Sequence, residues 1–288
     1  MLTEELIKLN NLQLAGKLVS EQLMLGIHHS KRTGYGVEFE QYRHYEIGDD
    51  PKRIDWKLYA RTDKHLVRES STESNFHLKF IIDLSGSMNY VENKVSRLEY
   101  CKILLASLSY LGYRQGDLMS LFGIKNGEIV TLVNSGKQSF QRILYTLEKI
   151  EAHGNWENTN SLDLSVLQSG KQKEVLVIAS DLLQFNDEWL TLIKSLANAH
   201  REILIFLVLG QQELNFNLKG FFRFKDLETG QEIELQAEAI KEEVKKNAEN
   251  YLTKLEEALQ IPFVHLFKTS FDTPIASVIL EAIKQRNF

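Results

Sequence analysis

Three stretches of this chain turn apolar at consecutive positions rather than at every second one: "NFHLKFIIDL" from Asn75, "EVLVIASDL" from Glu174 and "ILIFLVLG" from Ile203. A strand that is apolar on both faces must be covered on both, and this is how the central strands of parallel sheets read. Between these stretches lie segments with helical spacing of apolar residues, such as Leu98, Cys101, Leu105 and Leu108, then Phe140, Ile143, Leu144, Leu147 and Ile150. Alternating strands and helices imply a mostly parallel sheet with helices on both faces and right-handed crossovers.

The remaining segments fit that plan. "DLMSLFGI" and "EIVTLV" flank Lys125-Asn126-Gly127, and Asn-Gly is a strong hairpin signal, so one antiparallel edge strand is expected. "DEWLTLIKSLANAH" reads as helix, and "PFVHLF" as a last strand before a C-terminal helix. An insertion at about 211–260 holds the expected hairpin "FFRFKDLETGQEIEL" and a long charged helix near 237–260. Residues 5–25 read as one amphipathic helix with Leu6, Leu9, Leu12 or Leu14, Leu18, Val19 and Leu23 on its stripe. The expected division is a small N-terminal annex over 1–75 and the α/β domain over 76–288.

In open α/β sheets ligands bind at the carboxyl ends of strands, where the strand order reverses. Asp83 stands at such an end, followed at alternate positions by Ser85 and Ser87, and Asp181 stands at another. A serine nucleophile on an elbow would need Gly-x-Ser-x-Gly, and neither serine has both glycines. A phosphate cradle would need a complete glycine pattern; "GYGVEF" at 34–39 lacks its third glycine, and Gly136-Lys137 lacks both the earlier glycine and a following Ser or Thr. An aspartyl-phosphate enzyme usually carries a second Asp two residues on, where this chain has Ser85.

A hard metal fits better. Mg²⁺ takes oxygen ligands and keeps several waters, so Asp83, Ser85 and Ser87 on one turn, Thr159 from "ENTNS" and Asp181 from "IASDL" make a sufficient set. Against this stands the plain alternative for each residue: Ser85 or Ser87 as a helix cap, Asp181 as a turn residue, Thr159 as an ordinary loop polar.

Composition narrows the function classes. A net charge of −5 gives no electrostatic case for nucleic acid, and His28-His29-Ser30-Lys31-Arg32 is too short to reverse it. A single cysteine, Cys101, excludes an internal disulfide or a multi-cysteine zinc site, and reads as a small buried hydrophobe. No stretch approaches 18 continuous apolar residues and no signal-peptide core stands at the N-terminus, so a cytoplasmic protein without a membrane span is expected.

The order Asp83-x-Ser85-x-Ser87, then Thr159, then Asp181 resembles the metal-ion-dependent adhesion site of von Willebrand factor A domains. That resemblance implies a Rossmann-type sheet wrapped by helices, with Mg²⁺ or Mn²⁺ held by those five residues and a partner's carboxylate completing the coordination. A longer match lies upstream. "GYGVEFEQYRHYEIGDDPKRIDWKLYARTDKHLVRE" (34–69), Asp83-Leu-Ser-Gly-Ser-Met88 and "RLEYCKILLASLSYLGYRQGD" together resemble the bacterial family known as domain of unknown function fifty-eight. The resemblance implies an interaction or adaptor subunit working with a MoxR-type AAA+ ATPase on an unidentified protein client. Where members of that family often carry Asp-Pro-x-Glu, this chain reads Gly210-Gln211-Gln212-Glu213.

Within 34–69, Arg43, Arg53 and Arg61 interleave with Glu38, Asp49, Asp50 and Asp55, around Trp56 and nearby aromatics. Two uses are open: a mutually paired Arg–carboxylate network in a structural annex, or a docking surface through Arg43, Asp49, Asp50, Arg53, Asp55, Trp56 and Arg61. The whole reads as a non-enzymatic protein-interaction module. The alternative is a metal-dependent hydrolase of phosphate esters, with His153 in the loop before Thr159 as its candidate base.

Overall fold

The computed structural model describes residues 3–31, 41–45, 56–69, 76–126, 128–153, 164–167, 172–183, 187–227 and 229–285. Its contacts divide the chain into two units, 1–24 with 75–288, and 25–74. In chain order the elements are α1 (Thr3–Lys8), α2 (Leu12–Lys31), β1 (Gln41–His44), α3 (Trp56–Thr62), β2 (Leu66–Glu69), β3 (His77–Asp83), β4 (Val91–Glu92), β5 (Val95–Ser96), α4 (Arg97–Gln115), β6 (Leu118–Lys125), β7 (Glu128–Val133), α5 (Ser139–Lys149), β8 (Glu174–Ser180), α6 (Asp187–Leu196), β9 (Arg201–Leu209), α7 (Gln211–Asn215), β10 (Phe221–Lys225), β11 (Glu232–Gln236), α8 (Ala237–Ala258), β12 (Val264–Ser270) and α9 (Ile275–Gln285).

The larger unit is built on a six-stranded sheet in the order β12-β9-β8-β3-β6-β7. Numbered within the sheet, that is the doubly wound order 3-2-1-4-5-6. All pairs are parallel except β6–β7, the expected antiparallel edge, and Asn126 takes the left-handed conformation its hairpin requires (φ 52°). The apolar runs bury both faces as anticipated. Phe80, Ile82, Val175, Val177, Leu204 and Phe206 join one core with residues of α4, α5 and α9. Their neighbours Ile81, Leu176, Ile178, Ile203 and Ile205 join the other with residues of α6 and α8. The fold is the α/β arrangement that the sequence implied: a mostly parallel sheet with one antiparallel edge strand and helices on both faces.

α4, which follows the first strand, is sharply bounded. Ser96 caps it in a reciprocal box with Glu99, and Gly116 ends it at φ 78°.

Two expectations change. The single helix over 5–25 is two helices, because Asn10 turns left-handed (φ 47°) and the Asn11 side chain accepts the Leu14 amide at 2.8 Å. Leu9 and Leu14 are consequently exposed, while Leu6, Ala15, Val19 and Leu23 are buried in the core beside α4. The start of the chain therefore belongs with the α/β unit, not with the annex assigned to 1–75. The 25–74 unit pairs β1 with β2 antiparallel, and Trp56 and Tyr59 of α3 meet edge to face at 6.0 Å.

Candidate functional site

The order of the sheet reverses between β3 and β8, and both strands deliver an aspartate at that point. Asp83 is the last residue of β3 and Asp181 follows the last residue of β8. Asp83 is buried, and its two carboxylate oxygens accept the Ser85 amide at 2.9 Å and the Ser180 hydroxyl at 2.6 Å. The turn continues into a short 3-10 helix, Gly86–Asn89, with Ser85 at its N-cap position. The Ser85 side chain makes no capping bond; its hydroxyl meets that of Ser87 at 3.0 Å. The alternative reading of Ser85 as a cap therefore fails on geometry.

Asp181 sits on a turn of its own. Its Oδ1 accepts the Leu183 amide at 3.1 Å, and Leu182 is left-handed (φ 50°), which is costly for a side chain bearing a Cβ. That conformation is held from both sides. The Leu182 amide donates to Ser180 Oγ at 2.9 Å, and the Tyr251 hydroxyl of α8 donates to the Leu182 carbonyl.

A residue not anticipated from the sequence organises this end of the sheet. Arg97, the first residue of α4, is fully buried. It donates to Asp181, to Glu213 of α7 and, at 2.8 Å, to the Ser87 carbonyl, and it lies 5.3 Å from the centroid of the Tyr90 ring. Burial opposes its charge, but Asp181 and Glu213 outweigh burial and hold the guanidinium pKa above its ordinary value. A cation in the first turn of a helix runs against the helix dipole. That misplacement was the one sequence signal that Arg97 needed acidic partners. Glu213 also accepts the Gly210 amide at 2.6 Å, and a Cβ on Gly210 would come within 2.5 Å of both Glu92 and Tyr90. Gly210, which opens the Gly-Gln-Gln-Glu segment, thus permits close packing over Arg97.

The site is short of positive charge. Burial, then the negative charge of Asp181, pushes the Asp83 carboxyl above the usual carboxylate range, against the hydrogen bonds from Ser180 and Ser85. Among the described residues no three His, Cys, Asp or Glu side chains converge as a metal cage. The donor set is instead two carboxylates and two hydroxyls, which suits a hard ion that retains water and would relieve the repulsion at Asp83. Thr159 lies outside the described residues. His153 itself is held beside the turn after Asp83, since its amide donates to the Leu84 carbonyl at 3.0 Å. The His153 ring is exposed and pairs with Glu151 at 2.8 Å.

Of the suggested docking residues, Trp56 and Arg61 are exposed on α3, and Arg43 lies on β1. Asp49, Asp50, Arg53 and Asp55 lie outside the described residues. Cys101 is buried and its thiol pKa is pushed up by that burial, in keeping with a packing role. Among the described residues no helix is long and apolar enough to cross a membrane.

A family model described as "Protein of unknown function DUF58" matches residues 41–253. The chain belongs to this family. A relative named Uncharacterized protein Rv1480, from Mycobacterium tuberculosis, is 24% identical over 226 residues, covering 77% of this chain and 70% of that protein. Among solved structures, BatB from Bacteroides thetaiotaomicron matches 73% of this DUF58 chain and 98% of its own at 14% identity, with a TM-score of 0.48. The SpRpn10 VWA domain matches 71% of this chain and 94% of its own at 13% identity, with a TM-score of 0.39.

Proposed function

We propose that this protein is a non-enzymatic interaction module that binds a partner carboxylate through a divalent cation at the carboxyl ends of β3 and β8. The observation that carries this reading is that buried Asp83 and Asp181 stand at the carboxyl ends of the neighbouring strands β3 and β8, with Ser85 and Ser87 sharing a hydroxyl contact on the turn after Asp83. Asp83, Ser85, Ser87 and Asp181, together with Thr159, would hold Mg²⁺ or Mn²⁺. The ion would supply a compact positive charge with a position left for an incoming carboxylate.

The protein's own residues prepare that position. Ser180 and the Ser85 amide fix both oxygens of Asp83, and Arg97 fixes Asp181 while tying it to Glu213. The family resemblance supports a MoxR-type AAA+ ATPase as working partner, with a separate protein client. Acting with an ATPase implies the cytoplasm, where ATP is supplied.

The test is the melting temperature of the wild type and Asp83→Ala across Mg²⁺ and Mn²⁺ titrations. An ion bound only by the native state adds about 2.7 kcal/mol at a hundredfold excess over Kd. A saturating rise in the wild type that is absent from Asp83→Ala is the expected result. No rise in the wild type at millimolar ion removes the metal from the reading.

A further inference from the structure

A cleft of about 350 Å³ opens beside the proposed metal position and shares Ser87 with it. Tyr90, Arg97 and Glu213 also line it, Leu183 enters from the turn after Asp181, and Lys225, Asp226 and Leu227 enter from the end of the β10–β11 hairpin. This inference rests on the metal-site reading and extends it to the partner. We propose that the cleft selects an extended acidic segment of a protein partner. Beside the carboxylate that meets the ion, that segment carries an apolar side chain and a second carboxylate directed at Lys225.

Charge on the cleft wall carries the argument. Glu213 is engaged by Arg97 and by the Gly210 amide. Asp226 is engaged within its own turn, accepting the Thr229 hydroxyl at 2.7 Å and the Thr229 amide at 3.3 Å. Glu232, the cross-strand neighbour of Lys225, lies 3.7 Å from Arg223. Lys225 itself has no ion pair among the described residues, so it is the charge on this wall left for a ligand. Leu183 and Leu227 supply the apolar part, at 48% and 42% exposure. The volume suits a few side chains rather than a folded domain.

The hairpin is a fixed wall. Its residues Phe221, Arg223 and Lys225 share one face, while Phe222 and Phe224 share the other. Phe224 stacks on Phe216 with ring centroids 5.9 Å apart, and Phe216 is buried. The Gly220 amide at the hairpin's base donates to Glu238 of α8 at 2.9 Å. Lys225 is thereby held over the cleft rather than left on a free loop, which lowers the ordering cost of binding.

The experiment is selection of a random peptide display library on the full chain with Mg²⁺, repeated on Lys225→Glu, Leu227→Asp and Asp83→Ala. The wild type is expected to enrich peptides with an acidic residue, an apolar residue and a second acidic residue. Lys225→Glu should replace the second acid by a basic residue and weaken a wild-type-selected diacid peptide about tenfold, as reversal of one partly exposed charge contact does. Leu227→Asp should erase the apolar preference. Identical motifs and affinities on wild type and Lys225→Glu would overturn the proposal while leaving the metal reading intact. So would a library with no enrichment over bare matrix on a chain whose stability still responds to Mg²⁺. Peptides that shift with Lys225→Glu, yet bind Asp83→Ala equally and in excess EDTA, would support the cleft and overturn the metal reading.

Discussion

Two buried charge clusters stand at opposite ends of the same sheet, and they are balanced differently. At the amino end, Lys79 of β3, Glu174 of β8 and Arg201 of β9 are all nearly fully buried. One oxygen of Glu174 accepts Lys79 at 2.8 Å, and the other accepts Arg201 Nε at 2.7 Å. Spare donors of both cations reach the Leu167 carbonyl, at 3.4 Å from Lys79 and 2.5 Å from Arg201. Every charge there has an opposite or dipolar partner within the protein. At the carboxyl end, Asp181 and Glu213 share one guanidinium, and Asp83 beside them meets only neutral donors. Buried charge is tolerable when paired. A closed cluster holds the fold, whereas a deficit of positive charge at a strand switch point is where a cation is wanted.

The sharpest way to break this comparison is to remove one member from each end. Glu174→Ala strands Lys79 and Arg201 without their counter-charge and is expected to cost about 3–5 kcal/mol in urea unfolding. Arg97→Met, at the other end, leaves Asp181 and Glu213 facing each other. About 2 kcal/mol is expected, because a Glu213 side chain that is 27% exposed can recover water. Saturating Mg²⁺ should return more stability to Arg97→Met than it adds to the wild type. Asp83→Asn in metal-free buffer should change stability by less than about 1 kcal/mol, since the lost charge was repelled by Asp181. It should also abolish the response to Mg²⁺. Equal losses for Glu174→Ala and Asp83→Asn would mean that the two ends are alike, and the argument for a missing cation would fall.

The sheet was legible because its signal is local. Residues 175–179 are apolar at every position, and the whole of Glu174–Ser180 is buried. Asp83 and Asp181 were legible for the same reason, each marking the point where an apolar run stops. The frame around them was not. Arg97 and Glu213 are separated by 116 positions, and no short pattern joins them. Glu174 stands at the start of an apolar strand, and no local pattern announces that β3 and β9 bring Lys79 and Arg201 to either side of it. The stripe of Leu6, Val19 and Leu23 announced that a helix face is covered, but a stripe carries no record of what covers it. Hence the start of the chain was grouped with its sequence neighbours rather than with the sheet.

The smallest expected effect separates the two ends by the sign of their pH dependence. His77 Nε2 lies 2.9 Å from Ser120 Oγ at the amino end. Burial, then the positive charge of Lys79, lowers its pKa below the ordinary value of 6.5; Glu174 acts in the opposite sense and Arg201 reinforces the lowering. The imidazole is therefore neutral in the fold under conditions where the unfolded chain has begun to take up a proton. Stability from this group is present above 6.5 and is lost as the pH falls below it. Asp83 works the other way: its raised carboxyl pKa makes the fold lose stability as the pH rises through it. Replacing His77 by Gln keeps a hydrogen-bonding group near Ser120 and removes the titration. Urea midpoints followed in EDTA from neutral pH downward should fall more steeply for the wild type than for His77→Gln. Parallel curves would show that the amino-end cluster carries no net penalty for a further positive charge. It would then lose its standing as the saturated counterpart of a carboxyl end that lacks one.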